Sequence, residues 1–373
     1  RDGGWCSYGY TQSKLLEFYQ TRVSVEYPNV ELPAARPFRT TPMYDIFDNL
    51  GAVWGHQYGL EVPNYFARAD EPRYETPSFR RSNAFEATAR EVAAVRGSVG
   101  INEVQNFGKY EVSGPNARAW LDRVMAGRIP KPGRLSQTPM LYERGRHIGD
   151  YTVSCLKEDL YQLTASYGAQ AYHERWFEQH EEDGVTLCNI SNSRTGFQIA
   201  GPNAAKVLAA CTDDPVKHLK FMDVAYMTIG MAPCIVQRVS YTGDLGFEIY
   251  TDAMYQCKSL RLANFFGSWL SEFSPDYTAA ETGMDRFISF KKNVDFIGRK
   301  AAEADRNPTR KLMAFEVSAN DADVVAYEPI FVDGKVVGFC TSGGYAHNAN
   351  KSIAMGFLPT EIARSGQEAE IEI

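Results

Sequence analysis

The sequence is poor in the groups that build metal centres and disulfide frameworks. Its seven cysteines, Cys6, Cys155, Cys188, Cys211, Cys234, Cys257 and Cys340, are scattered, and no two form a C-x-x-C pair. An odd, unclustered set fits neither a disulfide scaffold nor a zinc site, and buried reduced thiols are the expected reading. The six histidines never fall at ligand spacing from one another, so no metal centre is expected. No stretch approaches the ~18 consecutive apolar residues of a membrane span. A G-x-S-x-G elbow, a Walker A sequence, a G-x-G-x-x-G turn after a strand and an H-E-x-x-H pair are all missing. The common hydrolase, nucleotidase and dinucleotide-binding readings therefore have no motif support. Charge of one sign is also scarce: 39 Lys and Arg against 46 Asp and Glu leave a net −7, which gives no support to a nucleic-acid surface.

What is present belongs to a folded chain. Its 373 residues suit two or three domains of roughly 150 residues each. Hydrophobic content of 44% with 23% charged residues argues against disorder. The chain opens Arg1-Asp2-Gly3-Gly4-Trp5 without Met or a signal segment, and stops in the alternating run Glu370-Ile371-Glu372-Ile373. A piece of a longer polypeptide is expected.

Periodicity predicts a helix over Gln12 to Val23, an extended linker through Leu32-Pro33-Ala34-Ala35-Arg36-Pro37, and a helix from Asn83 to Gly97 capped by Asn83. Strands follow at Lys109 to Val112, at 148–156 and at 160–165, with helices at Ala117 to Met125 and Ala169 to Gln179. Gly108 to Ala117 and Gly196 to Ala204 share one plan, a strand running into Gly-Pro-Asn-Ala and then a helix. Two copies of that unit point to an internal duplication, although a shared turn preference gives the same letters. Beyond about residue 305 the character changes to short β-runs at 312–317, 329–332, 335–341 and 352–357, broken at Asp333-Gly334 and Gly343-Gly344. The Asp-Gly doublet predicts a hairpin, and the whole region a small all-β domain.

Three places hold candidate chemistry. In Tyr241-Thr242-Gly243-Asp244-Leu245-Gly246-Phe247-Glu248-Ile249-Tyr250 the glycines allow close backbone approach, and the alternation puts Phe247 and Glu248 on opposite faces. A carboxylate among apolar neighbours needs partners, either an internal Arg or the planar amidine-like edge of a ligand. Asp150, directly after Gly149, begins a strand where a side chain can enter a cleft; a capping or solvated Asp is the ordinary alternative. The basic and aromatic residues around Arg261, Phe265-Phe266-Gly267-Ser268-Trp269 and Arg286-Phe287 suit either an anionic aromatic ligand or core packing with surface ion pairs.

The Tyr241–Tyr250 block resembles the Y-T-G-E-x-G-F-E signature of the glycine-cleavage T-protein (aminomethyltransferase) folate-binding family. Asp295-Phe296-Ile297-Gly298-Arg299-Lys300-Ala301-Ala302 is similar to that family's D-F-I-G-K-x-A segment, and Thr341-Ser342-Gly343-Gly344 with Lys351 to Gly356 to its C-terminal barrel motif. Arg36 to Asp45, Phe266 to Leu270 and Asp285 to Phe290 resemble, more narrowly, the C-terminal half of dimethylglycine and sarcosine dehydrogenases. One departure is a short stretch between Tyr255 and Ser259, where the family carries more residues.

The resemblance implies an α+β aminomethyltransferase-like fold with the internal strand-turn-helix duplication and a small C-terminal β-barrel domain. Residues 1–40 would be the exit from an upstream flavin domain, 41–304 the folate-binding domain and 305–373 the barrel. It also implies tetrahydrofolate as cofactor, with FAD only if a flavin domain shares the chain. Glu248 would take the pterin amino and ring N–H groups, and Asp150 would be the catalytic aspartate. Tyr167 and Tyr241 would line the slot, and Arg261 and Arg286 would meet the glutamate tail. The implied activity captures the carbon of an oxidised N-methyl amine, or its iminium, as 5,10-methylenetetrahydrofolate. The alternatives are direct methyl transfer from an S-, N- or O-methyl donor to tetrahydrofolate, and a non-catalytic binding or assembly module. No nucleic-acid or membrane partner is expected, and the setting would be bacterial cytoplasm or mitochondrial matrix rather than secretion.

Overall fold

Two glycines with nearly the same backbone angles, Gly114 at φ +117° and Gly201 at φ +119°, mark where the chain repeats itself. The computed structural model describes residues 7–25, 27–230, 232–253, 272–346 and 349–373. It parts into two units, one up to Glu91 and one from Val92 onward. The motif at Phe266 to Leu270 and the candidate Arg261 lie outside the described residues.

In the first unit α1 (Tyr8–Thr21) starts at Ser7, whose hydroxyl accepts the Tyr10 N–H at 3.3 Å. Helix α2 (Tyr44–Asn49) precedes the antiparallel pair β1 (Ala52–Gln57) and β2 (Leu60–Phe66), which turns at Tyr58 and Gly59, both at positive φ. The expected linker is anchored: Arg36 bonds Glu61 at 2.6 Å and Glu31 at 3.2 Å. Helix α3 (Ala84–Gly97) spans the boundary between the units. Its predicted Asn83 cap is corrected by the structure. Asn83 accepts the Thr76 N–H and donates to the Tyr74 carbonyl, while Ser82 Oγ accepts the Ala84 N–H at 3.2 Å. The Asn side chain is spent holding a preceding loop, which a local pattern does not reveal.

The second unit contains the repeat. The first copy is β3 (Gly100–Glu103), β4 (Phe107–Ser113), α4 (Ala117–Val124), β5 (Arg134–Leu141), β6 (His147–Lys157) and β7 (Leu160–Ser166), followed by α5 (Gln170–Glu178). The second is β8 (Thr186–Asn189), β9 (Arg194–Ala200), α6 (Ala204–Ala210), β10 (Val224–Ile229), β11 (Ala232–Gln237) and β12 (Gly246–Asp252). The sheets run β5-β6-β7-β4-β8 and β10-β11-β12-β9-β3, the same order twice. Their edge strands are exchanged: β3 leads into β4 but pairs with β9, and β8 leads into β9 but pairs with β4. In each copy the left-handed glycine brings the backbone against another chain segment, Gly184 O for Gly114 and Val95 O for Gly201, where any Cβ would collide.

Alternation decides what each sheet faces. Tyr110, Val112, Val153, Tyr161 and Leu163 turn outward beneath Trp120, Leu121 and Phe177 of α4 and α5. Ile199, Val236 and Phe247 turn outward beneath Ala204 and Leu208 of α6. The other two faces meet each other. Leu135, Val224, Ile235 and Tyr250 pack together at one end, and Arg194 of β9 reaches Gln162 and Glu111 of the opposite sheet. The result is a helix-sheet-sheet-helix sandwich with polar side chains in its middle layer.

Helix α7 (Arg299–Ala304) follows Gly298, whose positive φ lets the chain pass close to the Tyr142 carbonyl. The C-terminal strands β13 (Arg310–Val317), β14 (Pro329–Val332), β15 (Lys335–Ala346), β16 (Lys351–Pro359) and β17 (Glu370–Ile371) form one antiparallel sheet ordered β13-β16-β15-β14-β17. Asp333 and Gly334, both at positive φ, make the predicted hairpin between β14 and β15. Gly343-Gly344 does not break the strand as expected. Gly343 lies inside β15 where the Val324 backbone crosses it, so the residue serves close approach rather than a turn. The thiols also need correction: Cys155, Cys234 and Cys340 are buried, but Cys188 and Cys211 are exposed. Among the described residues no helix is long and apolar enough to cross a membrane.

Candidate functional site

Glu248 sits two residues into β12, and the alternation there works as its letters require. Phe247 is buried under α6, and Glu248 points into the layer between the two sheets. Among the described residues its partners are a tyrosine and a lysine. The Tyr250 hydroxyl donates to Glu248 Oε2 at 2.8 Å, and the ammonium of Lys109 adds an attractive charge. Burial outweighs both and pushes the Glu248 carboxyl up to about 7. Lys109, 0% exposed on β4, donates to the Phe107 carbonyl at 3.1 Å and the Gln105 carbonyl at 3.4 Å. Burial lowers its ammonium to about 7 against the opposing pull of Glu103 and Glu248.

The loop before β12 explains the glycine signature. Gly243 takes φ +72°, and Gly246 lies so close to Ser240 and the Ile199 carbonyl that a Cβ would stand 2.6 Å and 2.8 Å from them. Ser240 Oγ donates to the Asp244 carbonyl at 2.6 Å, and Arg96 pairs with the Asp244 carboxylate at 2.9 Å. This tight turn places Tyr241, whose N–H donates to Gln198 Oε1 at 3.0 Å and whose ring meets Phe107 edge-on. Burial first, then the charges of Asp150 and Glu272, raise the Tyr241 phenol. Glu272 accepts a hydrogen bond from Ser342 Oγ at 2.7 Å, so the T-S-G-G motif of β15 braces this end of the layer.

Asp150 is the fourth residue of β6 rather than its first. The pairing of β6 with β7 stops at Thr152 and Thr164, while β7 stays paired with β4 to Ser166, so Asp150 lies beyond the end of the β6–β7 ladder. Gly149 before it serves the opposite face, where a Cβ would meet His173 Nε2 at 2.6 Å. Burial pushes the Asp150 carboxyl up to about 6. Tyr167 is buried in the short turn Tyr167–Ala169 that follows β7.

The structure brings Glu248, Tyr241 and Asp150 into one neighbourhood: Gln198 is opposite Glu248, Tyr241 binds Gln198, and Asp150 acts on Tyr241. Arg286 is different. It is exposed, with its guanidinium 4.8 Å from the centroid of the adjacent Phe287, and among the described residues nothing joins it to Glu248 or Asp150. Lys109, Gln198 and Gln237 were not singled out from the sequence. A signal for Gln198 existed, because it occupies the place in the second copy that Glu111 holds in the first.

Comparison with known proteins agrees with this architecture. The GCVT N-terminal domain model matches residues 43–258, and the glycine cleavage T-protein C-terminal barrel domain model matches residues 310–373. The chain belongs to the glycine cleavage T-protein family. Mitochondrial dimethylglycine dehydrogenase of Rattus norvegicus is 31% identical over 404 residues, covering 100% of this chain and 47% of that protein. The chain thus spans about half the length of that relative. The mitochondrial pyruvate dehydrogenase phosphatase regulatory subunit of Mus musculus is 23% identical over 96% of this chain and 45% of its own length. The crystal structure of glycine cleavage system aminomethyltransferase T from Bartonella henselae shares the fold, with a TM-score of 0.75 at 21% identity over 90% of this chain and 94% of that one.

Proposed function

We propose that this chain is a tetrahydrofolate-dependent one-carbon transfer module. The observation that carries the reading is the pair of recessed carboxylates, Glu248 and Asp150, one on each inner sheet face and both adjoining the Tyr241 loop. The side-chain chemistry of this layer fits a polar planar heterocycle. Beside Glu248, the buried amides of Gln198 and Gln237 hold atoms with no hydrogen-bond partner among the described residues. When bound, tetrahydrofolate supplies two nucleophilic nitrogens that accept a carbon at the formaldehyde oxidation level.

Glu248, fixed by the Tyr250 hydroxyl, takes the amino and ring N–H groups of the pterin edge. Asp150, near neutral pH mostly ionised but poised to accept a proton, orients the reacting nitrogen, stabilises developing positive charge and removes the proton. Tyr241 and Tyr167 line the slot, and Arg261 and Arg286 serve the glutamate carboxylates. The carbon comes from an oxidised N-methyl amine of the dimethylglycine or sarcosine type, a choice supported by the 31% identity to dimethylglycine dehydrogenase. Oxidation of that amine belongs to a flavin domain in cis, upstream of residues 1–40, with 41–304 binding folate and 305–373 forming the barrel. We place the chain in the mitochondrial matrix or the bacterial cytoplasm, and the mitochondrial name of the same relative supports the first setting.

Calorimetric titration with tetrahydrofolate tests the reading. Glu248→Ala should weaken binding at least tenfold; unchanged affinity would overturn it. A non-catalytic module is the second reading, favoured by the regulatory subunit among the relatives. It requires Asp150→Asn to leave every folate-linked rate of the chain untouched.

A further inference from the structure

We infer that Gln198 and Gln237 read the edge of the bound heterocycle on either side of Glu248, making the site selective for a 2-amino-4-oxo pteridine over its 4-amino counterpart. This deepens the folate reading and rests on it.

The three side chains form one row. Gln237 is directly opposite Glu248 across β11 and β12, and Glu248 is directly opposite Gln198 across β12 and β9. Directly paired residues share a sheet face, and neighbouring strands are about 4.8 Å apart. The order along the row is therefore amide, carboxylate, amide. Both amides are almost completely buried, Gln237 at 0% and Gln198 at 1% exposure. Gln198 Oε1 already accepts the Tyr241 N–H at 3.0 Å, so its amide cannot flip without losing that bond. Its Nε2 is left as a fixed donor with no partner among the described residues. Neither Oε1 nor Nε2 of Gln237 has a partner there, so that amide is able to present either end.

Buried amide atoms left unpaired are costly, and a ligand that satisfies them recovers that loss on binding. The pteridine edge presents an acceptor at the 4-oxo oxygen, then the N3–H donor, then the 2-amino donor. The row offers the matching series: donor Gln198 Nε2, acceptor Glu248, and Gln237 with its oxygen turned toward the second amino hydrogen. A 4-amino group in place of the oxygen sets donor against donor at Gln198, and the neutral 4-amino ring also lacks the N3 hydrogen, so its N3 meets Glu248 as acceptor against acceptor. Sites built to hydrogen-bond a polar group reject analogues that leave it unpaired.

The test compares binding of tetrahydrofolate and of its 4-amino-4-deoxy analogue to the 373-residue chain by calorimetry. Wild type should prefer the 4-oxo compound by roughly 10- to 100-fold. Gln198→Met should cut that preference by about threefold or more, leaving the part that N3 sets at Glu248, and Gln198→Glu, which keeps an acceptor for the Tyr241 N–H, should cut it further. Gln237→Met should weaken both ligands alike, since both carry the 2-amino group. Equal binding of the two ligands by wild type overturns the inference with no variant needed. A full preference retained in a folded Gln198→Met protein overturns it as well. If Glu248→Ala abolishes binding in those cases, the folate reading stands and only the inference falls; if Glu248→Ala binds tetrahydrofolate normally, both fall.

Discussion

Asp150 is held in surroundings that resist its charge. Burial raises its carboxyl from the ordinary 3.8 to about 6, so the folded state binds the proton more tightly than the unfolded chain does. The stability this group contributes is complete below pH 3.8 and is lost as pH rises through about 6. Asp150→Asn removes that loss. The variant should unfold at higher urea than wild type at pH 7.5, by an amount on the order of 1–3 kcal/mol, and match it at pH 3.8. The same variant should lose roughly 10²- to 10⁴-fold in one-carbon transfer, the range of a removed general acid–base group. Glu248 answers to Tyr250 in the same way. The Tyr250 hydroxyl bonds the charged carboxylate and restrains its rise, so Tyr250→Phe should push that pKa above about 7. Folate binding measured across pH should then shift its midpoint upward; an unmoved midpoint would show that Tyr250 does not set this charge.

At the scale of the element, the turn before β12 does more than reverse the chain. It fixes Tyr241 through two glycines and one ion pair, and Tyr241 in turn fixes the Gln198 amide. Gly246→Ala would place a methyl 2.8 Å from the Ile199 carbonyl, where backbone and not a flexible tip must yield. A loss of about 1–3 kcal/mol in urea unfolding is expected, with a raised Michaelis constant for tetrahydrofolate because the loop moves. Elements of this kind were legible where one residue type has one job. The Asp333-Gly334 hairpin and the helix starts after Gly-Pro-Asn follow from backbone angles that glycine reaches cheaply. Gly343 and Asn83 misled because their partners, the Val324 backbone and the loop at 74–76, come from elsewhere in the chain.

For the second unit as a whole, the two sheets are tied by a few side chains through a partly polar layer. Arg194 is the clearest of them, standing on β9 and bonding Asp252 of its own sheet at 3.1 Å and Gln162 of the other at 3.3 Å. Its side chain is 17% exposed, so solvent screens it little. Arg194→Met should cost about 2 kcal/mol in a single cooperative urea transition, since removing one partner leaves Glu111 and Asp252 less well paired. Two separate transitions would instead mean that the sheets are held independently.

The letters alone determined the two strand-turn-helix units, the strand that carries Glu248, its position on the face opposite Phe247, and the family. Local rules suffice there, because alternation and glycine-bearing turns act within a few residues. Only the tertiary structure decided that β3 and β8 trade sheets, that Lys109 offsets Glu248, and that two glutamines flank it. Those facts depend on which strands become neighbours, and no strand's own sequence records the identity of the residue that will lie opposite.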